Sequence, residues 1–450
     1  MKHLGALLIN PYIYDYSAYS FWSMPLGLLY MGAILRKNGV AIDLIDCLRV
    51  VEDKRKSDGR APFVKEKVQD PLALHGVRKR LKRYGISREA LLQELATLEP
   101  PDLVLITSIM TYWYVGAKEA AEAVREVFPR AKIVLGGIYP SLCHEHALTQ
   151  MTQADLIVRN NESGKFYDFV ESTFSTTLPF KLSPYGFALL PYPCLDLYES
   201  IPFAPLLTSY GCAYKCSYCA TPFMHPNMVR RSPRGTIDEI MFWHDHGVNR
   251  YVIYDDNFLY KSDLFAKPLL RGIAGLPFPL DIYNPNAVNA ALVTEELAGL
   301  LLTARLREVR IGLETTDEAL QKATGGKVDL RTFERAFRFL TKAGFPAEAV
   351  GVYVLAGLPS QRWEDVKQSI DYLADLGARV HVAEYTPIPH TPMFEQFKSA
   401  ARFPIADDPL YQNNALFPFA WEGFTEEDLL FLKRYVGEKN SVLDRSSRRD

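Results

Sequence analysis

The sequence predicts an α/β protein of two successive parts: an open, doubly wound parallel sheet first, then a partial (β/α)6 version of the eightfold βα barrel. Three observations carry that expectation. Continuously apolar runs of strand length recur along the chain, as parallel strands covered on both faces require. Segments with apolar residues at helical spacing separate them. At 450 residues the chain is also too long for one ordinary core, so two large domains follow from length alone.

In the first part, strands are expected at "LGALLINPY" (4–12), "VAIDLID" (40–46), "PDLVLITS" (101–108), "AKIVLGG" (131–137) and "ADLIVRN" (154–160). "PLGLLYMGAILRKNG" supplies a helix closed by Lys37 and Gly39, and "AKEAAEAVREVFP" another that ends before Pro129. Sheets of this kind bind ligands beyond the carboxyl ends of their strands. Residues 51–98 interrupt the alternation with charge-rich segments, of which "VRKRLKR" reads as a solvated basic helix. The proline- and aromatic-rich stretch after about 171 reads as an ordered linker.

Strand candidates resume at "APLLTSY" (204–210), "RYVIYDD" (250–256), "PLDIYNP" (279–285), "REVRIGLE" (307–314), "EAVGVYVLAG" (348–357) and "RVHVAEYTPIP" (379–389), each gap being long enough for a helix. Thr236 and Glu239 have the spacing of a capping box, and Gly344 and Gly377 read as helix stops. The expected domains are a Rossmann-like sheet over 1–170 with a charged insertion at about 51–98, a linker over 171–203, a barrel over 204–400 and a helical C-terminal extension over 401–450. In a βα barrel the chemistry sits at the C-terminal ends of the strands.

Composition narrows the classes. Apolar residues make up 48% and charged residues 23%, an ordinary globular balance, and the net charge of −2 gives no electrostatic footprint for nucleic acid. No apolar run approaches the roughly 20 residues of a membrane span, and "MKHLGALLINPY" lacks the pattern of a signal peptide. Six cysteines, three of them clustered, do not form a disulfide framework. A reduced, cytoplasmic protein is expected.

The clustered cysteines follow the first barrel strand. "GCAYKCSYC" places Cys212, Cys216 and Cys219 within eight residues, which points to a metal cluster rather than to buried thiols grouped by chance. A structural zinc takes four ligands, typically as two short pairs; no second pair follows here, although Cys194 or His225 could supply a fourth ligand. An iron–sulfur cube also normally takes four cysteines. Held by three, it leaves one iron open to a substrate or cofactor.

This motif resembles the C-x-x-x-C-x-x-C signature of radical S-adenosylmethionine (radical SAM) enzymes, including the aromatic Tyr218 before the last cysteine. The resemblance implies that Cys212, Cys216 and Cys219 hold a 4Fe-4S cluster whose open iron is chelated by SAM. Reductive cleavage of SAM then gives a 5′-deoxyadenosyl radical that abstracts hydrogen. "YDDNFLY" (254–260), with Asp255, Asp256 and Asn257, resembles the family's second-strand segment beside the methionine moiety. "IGLET" (311–315) resembles its fourth-strand segment, which assigns Glu314 to the SAM ribose. "LAGLPSQRWEDV", carrying Gly357 and Pro359, and "YTPIPHTPMFEQF" resemble the fifth and sixth strand ends of the cobalamin-associated branch, except that His390 replaces the usual glycine of "PIPGTP".

The first part is similar to the cobalamin-binding domain of that branch, and "MTYWYVG" with "LGGIYPSLCHEHA" resembles one group within it. The resemblance implies cobalamin contacts from Ser108, Thr111, Gly136, Gly137, Tyr139 and Glu162. The D-x-H-x-x-G motif that supplies a histidine to cobalt is missing, and the branch's "GEGE" is "NNES" here. His144 and His146 follow the fourth strand, where that ligand does not originate.

The implied activity is cobalamin-associated radical chemistry that methylates an unactivated carbon of a small molecule, with 4Fe-4S, SAM and cobalamin as cofactors. Radical cyclisation, oxidation or rearrangement without methyl transfer is the alternative. A corrinoid or iron–sulfur sensor without turnover would need no SAM-shaped site, so the barrel motifs oppose it. The expected partners are the substrate and a reducing protein such as flavodoxin or ferredoxin, with neither nucleic acid nor membrane.

Overall fold

Five apolar segments of the first part lie side by side in a computed structural model that describes residues 4–69, 74, 79–183 and 186–446. They are β1 (Gly5–Asn10), β2 (Ala41–Asp46), β3 (Leu103–Ser108), β4 (Lys132–Gly137) and β5 (Leu156–Ile157). All pair in parallel, in the order β2-β1-β3-β4-β5. That is a doubly wound order, whose direction reverses between β1 and β3. Helices α1 (Leu26–Lys37), α2 (Arg88–Ala96), α3 (Tyr114–Val127) and α4 (Ser163–Phe174) accompany the sheet. Leu8, Leu35, Leu105, Val134, Phe166 and Val170 share one core. Burying such side chains contributes about 1.5–3 kcal/mol each.

Residues 79–83 of the charged insertion, within the stretch expected to be helical, are not helical. Lys82–Tyr84 is a strand, paired antiparallel with Ile13–Asp15 on one side and Lys65–Lys67 on the other. Val77 and Arg78, which open the expected helix, lie outside the described residues. Tertiary pairing outweighs local preference here: Tyr84 is buried, its hydroxyl donating to the Tyr16 carbonyl (3.0 Å), while Arg83 faces Glu66 at 2.6 Å.

The stretch read as a linker contributes to the first core. Leu178, Phe187, Cys194 and Leu195 are buried, and the Cys194 amide donates to the Leu29 carbonyl of α1. Residues 1–202 together with 406–412 accordingly form one compact unit, and 203–405 with 413–450 form a second. Within the first unit, the Tyr114 hydroxyl donates to Asp408 at 3.2 Å.

The second unit contains β6 (Ala204–Leu206), β7 (Arg250–Ile253), β8 (Asp281–Tyr283), β9 (Val309–Glu314), β10 (Val350–Ala356) and β11 (Arg379–Glu384). They form two parallel three-stranded sheets, β6-β7-β8 and β9-β10-β11. Parallel bridges Ile282–Leu306 and Val288–Ile311 connect β8 to β9. The result is the expected six-stranded partial barrel. Gly344 (φ 112°) and Gly377 (φ 76°) stop the helices Leu330–Ala343 and Trp363–Asp375 in the left-handed region that glycine tolerates.

The capping box does not form. The helix Pro233–Asp245 begins a turn earlier, where Ser232 accepts from the Gly235 amide at 3.0 Å and Pro233 takes the first position. Thr236 and Glu239 lie inside the helix, and Glu239 is fully buried against Arg231. In the C-terminal extension only Glu426–Ser446 is a long helix; the stretch before it is a chain of short turns. Among the described residues no helix is long and apolar enough to cross a membrane.

Candidate functional site

In the second unit, the loop after β6 is framed by Ser209–Tyr210, paired antiparallel with Val229–Arg230. Gly211 opens it at φ 86°, where an added Cβ would lie 2.8 Å from the Asn227 carbonyl oxygen. Cys212, Cys216 and Cys219 follow, all as free thiols. The Asn257 amide donates to Cys212 Sγ at 3.4 Å, and Cys219 Sγ lies 3.4 Å from Thr221 Oγ1. Later segments brace the loop: the Ser217 amide donates to the Thr324 carbonyl (3.1 Å), and the Met393 amide donates to the Ser217 carbonyl (2.9 Å). Gly325 approaches so closely that a Cβ there would be 3.1 Å from Cys216 Cα.

The neighbouring acids divide the work. Asp255 is buried, accepting from the Thr208 amide (2.7 Å) and from the Ser209 hydroxyl (2.6 Å); burial raises its pKa against those hydrogen bonds. It ties the end of β7 to the end of β6. Asp256 accepts from the Gly211 amide at 2.8 Å and so holds the entry of the cysteine loop. Glu314 ends β9 at φ 70°, beside an irregularity in the pairing with β10. Its carboxylate meets Lys327 Nζ at 2.6 Å, and the same ammonium lies 3.1 Å from the Tyr218 hydroxyl. Burial opposes the Lys327 charge, yet Glu314 and the Cys216 thiol hold its pKa above the ordinary lysine value.

Gly357 adopts φ 85°, its amide capped by Gln361 at 2.9 Å, with Pro359 two residues on. His390 occupies the left-handed region at φ 65°, which explains why glycine suits that position. Its ring stacks on Phe223 at 4.1 Å, an attraction that offsets part of the backbone cost of about 1–2 kcal/mol. His225 packs at a tilt of 47° against Tyr210, ring centroids 4.8 Å apart, and burial lowers its pKa.

The residues fit an iron–sulfur cube better than a single ion. Among the described residues no three His, Cys, Asp or Glu side chains converge on one point, whereas a cube binds each thiolate through a different iron. The amide of Asn257 and the ammonium of Lys327 also suit anionic sulfur. For a SAM-like ligand, Asn284 just past β8 is 3% exposed and its Oδ1 has no hydrogen-bond partner among the described residues, so an acceptor awaits a donor there. Sequence reasoning missed Lys327 and Asn284. The double glycine before Lys327 was a signal for the first; Asn284 has none beyond its place at a strand end.

In the first unit the carboxyl edge of the sheet carries a mainly apolar cavity of about 240 Å³. It is bounded by Gly27, Leu28 and Met31 of α1, by β3 and β4 through Thr107, Gly136 and Gly137, and by Val158–Asn160 with Glu162. Gly137 has φ 103°, and a Cβ there would fall 2.6 Å from the Ser108 carbonyl oxygen. Ser108 donates to the Met110 carbonyl, and Thr111 is buried where the next turn begins. Neither lines the cavity. Tyr139 lies outside it too, fully buried, stacked on Tyr114 and bonded to His146 Nδ1 at 2.8 Å. Glu162 is paired with Arg159 and Lys165, and the Arg159 hydrogen bond leads in holding its carboxyl down to about 2. A glycine-floored apolar slot at strand ends fits a flat, largely apolar group better than a highly charged one.

Comparison with known proteins finds likenesses for both parts of the chain. The model of the radical SAM superfamily matches residues 206–373, and that of the B12 binding domain matches 68–166. The anaerobic magnesium-protoporphyrin IX monomethyl ester cyclase of Cereibacter sphaeroides is 24% identical over 424 residues, covering 78% of this chain and 68% of that one. The bacteriochlorophyllide d C-12(1)-methyltransferase of Chlorobaculum tepidum is 25% identical over 320 residues, 67% of each chain. Among solved structures, the radical SAM methyltransferase TsrM of Kitasatospora setae superposes with a TM-score of 0.65 at 19% identity, over 95% of this chain and 88% of that one.

Proposed function

We propose that this chain, whose residues 206–373 match the radical SAM superfamily and residues 68–166 the B12 binding domain, methylates an unactivated carbon of a small molecule, with 4Fe-4S, SAM and cobalamin as cofactors. One observation carries the reading: a single chain combines a three-thiol loop at barrel strand ends with a glycine-floored apolar cavity at the carboxyl edge of a doubly wound sheet. When bound, the cofactors supply a low-potential electron, a radical source and a transferable methyl group. The protein's part is to bind, orient and exclude water.

In this reading Cys212, Cys216 and Cys219 hold the cluster. Asp256 fixes the loop entry through Gly211, and Asn257 donates to the first sulfur. Asn284 and the β9 end with Glu314 receive SAM, while Gly357 and Pro359 shape the rim at the end of β10. Gly136 and Gly137 floor the cobalamin cavity, and Glu162 closes its side. Flavodoxin or ferredoxin is the reductant class proposed.

The test is anaerobic reconstitution with hydroxocobalamin and SAM carrying a trideuterated methyl group, with dithionite as reductant. The expected result is corrinoid retained after desalting, and label on the corrinoid recovered. Absence of retained corrinoid, even with SAM present, overturns methyl transfer. Cyclisation without methyl transfer would then take its place, a reading also favoured by the likeness to the protoporphyrin ester cyclase.

A further inference from the structure

The segment Thr324–Lys327 follows the helix Glu318–Thr324 and is wrapped around the cysteine loop. Gly325 (φ 132°) and Gly326 (φ 59°) turn the chain through conformations that side chains resist, bringing Gly325 against Cys216 and delivering the Lys327 ammonium inward. That ammonium is 2.6 Å from Glu314 and 3.1 Å from the Tyr218 hydroxyl, and it lines a small cavity with Cys216, Tyr218 and Glu314. We infer that Lys327 is the built-in counter-cation of the cluster site: a positioning residue that sets the cluster's reduction potential by offsetting the negative charge of the thiolates and of Glu314.

The argument is electrostatic. Three thiolates would outweigh the positive charge of an oxidised cube core, and the Glu314 carboxylate adds a further negative charge at the same partly desolvated spot. Charges in such a place interact strongly, because the effective dielectric is far below that of water. Reduction adds one electron from an external low-potential donor and hence one more negative charge. A fixed ammonium lining the same small cavity as Cys216 favours that form. A lysine serving only as the salt-bridge partner of Glu314 would not need two glycines at positive φ to bring its segment against Cys216.

The inference rests on the cluster being held by Cys212, Cys216 and Cys219. Iron and sulfide analysis of the reconstituted wild type tests that first: no cluster there means the assignment of the site has failed, not the role of Lys327. With the cluster present, the test is an electron paramagnetic resonance-monitored redox titration of wild type, K327M, K327R and E314Q, all at full iron content. K327M should move the midpoint to more negative potential, lowering the ratio of reduced to oxidised cluster at fixed potential by about tenfold or more. K327R should stay near wild type, and E314Q should move the midpoint the opposite way. If K327M and E314Q shift in the same direction, the loop has been displaced and the electrostatic role is overturned. An unchanged midpoint in K327M overturns it as well. Should K327M fail to hold a cluster, the E314Q arm alone decides: a midpoint that does not become more positive refutes the inference.

Discussion

At the barrel mouth, one loop and the ends of successive strands bring together three thiols, the acids Asp256 and Glu314, the Lys327 ammonium and the unpaired Asn284 oxygen. The carboxyl edge of the first sheet offers instead glycine backbone, apolar side chains and one carboxylate, Glu162, already tied to Arg159 and Lys165. The first site recognises by donor chemistry and the second by shape. A site of the first kind fails when one atom is removed. One of the second kind fails when volume is added.

The largest effect follows from that contrast. Cys212→Ala, Cys216→Ala or Cys219→Ala should each abolish a cluster of about four irons and, with it, reductive SAM cleavage. Iron and sulfide analysis and 5′-deoxyadenosine release measure the two outcomes. Cys47→Ala, Cys143→Ala and Cys194→Ala should keep full iron, since Cys47 and Cys194 are buried in the first unit and Cys143 lies near Gln412. Loss of iron in a folded Cys194→Ala variant would make that residue a fourth ligand and remove the open iron.

At the sheet edge the informative change adds one methyl group. Gly137→Ala puts a Cβ 2.6 Å from the Ser108 carbonyl oxygen at a φ of 103°, so the backbone must move and the cavity floor with it. Gly136→Ala meets only Val158 at 3.7 Å and should be tolerated. Corrinoid affinity should therefore fall by tenfold or more in the first variant and by less than about threefold in the second, read by equilibrium dialysis. Both should keep wild-type iron content. Equal losses in the two variants would detach corrinoid binding from this cavity.

The same contrast explains what could be read in advance. The central strands β1 and β3 were legible because burial on both faces makes them continuously apolar, and the cysteine loop because its three cysteines lie close together in sequence. The antiparallel strands Lys65–Lys67 and Lys82–Tyr84 were not, since "KEK" and "KRY" carry almost no apolar signal and their partner, Ile13–Asp15, lies some way off in sequence. Ser232 followed by Pro233 marked a helix start as plainly as the spacing of Thr236 and Glu239, and burial of Glu239 on Arg231 explains why the earlier start wins. Asp255 and Asp256 look equivalent in sequence. Only the structure separates the acid that ties two strand ends from the one that holds the loop entry. Lys327 depends on Gly325 meeting Cys216, a contact more than a hundred residues away in sequence.

The smallest effect is one of acid sensitivity, and it should differ between the two units. His381 on β11 sits beside Arg310, Arg379, Glu308 and Tyr353, with its Nε2 buried and without a hydrogen-bond partner among the described residues. Burial, then Arg310 and Arg379, push its pKa from 6.5 down to about 4, with Glu308 opposing. Above pH 6.5 the ring is neutral folded or unfolded and contributes nothing. As pH falls from there towards 4, the unfolded chain takes up a proton that the folded barrel refuses, so stability declines, by on the order of 2 kcal/mol. In the first unit Glu162 has its carboxyl held down from 4.5 to about 2, so its stabilising contribution is present above pH 4.5 and lost as pH falls towards 2. Its cations are solvent-exposed, which keeps that contribution below about 1 kcal/mol. The barrel should therefore soften first on acidification. Hydrogen exchange at pH 7 and pH 5 should show protection falling in β9–β11 while β1–β4 hold, and His381→Gln should remove most of that difference. If His381→Gln loses as much barrel protection as the wild type, the acid sensitivity lies elsewhere.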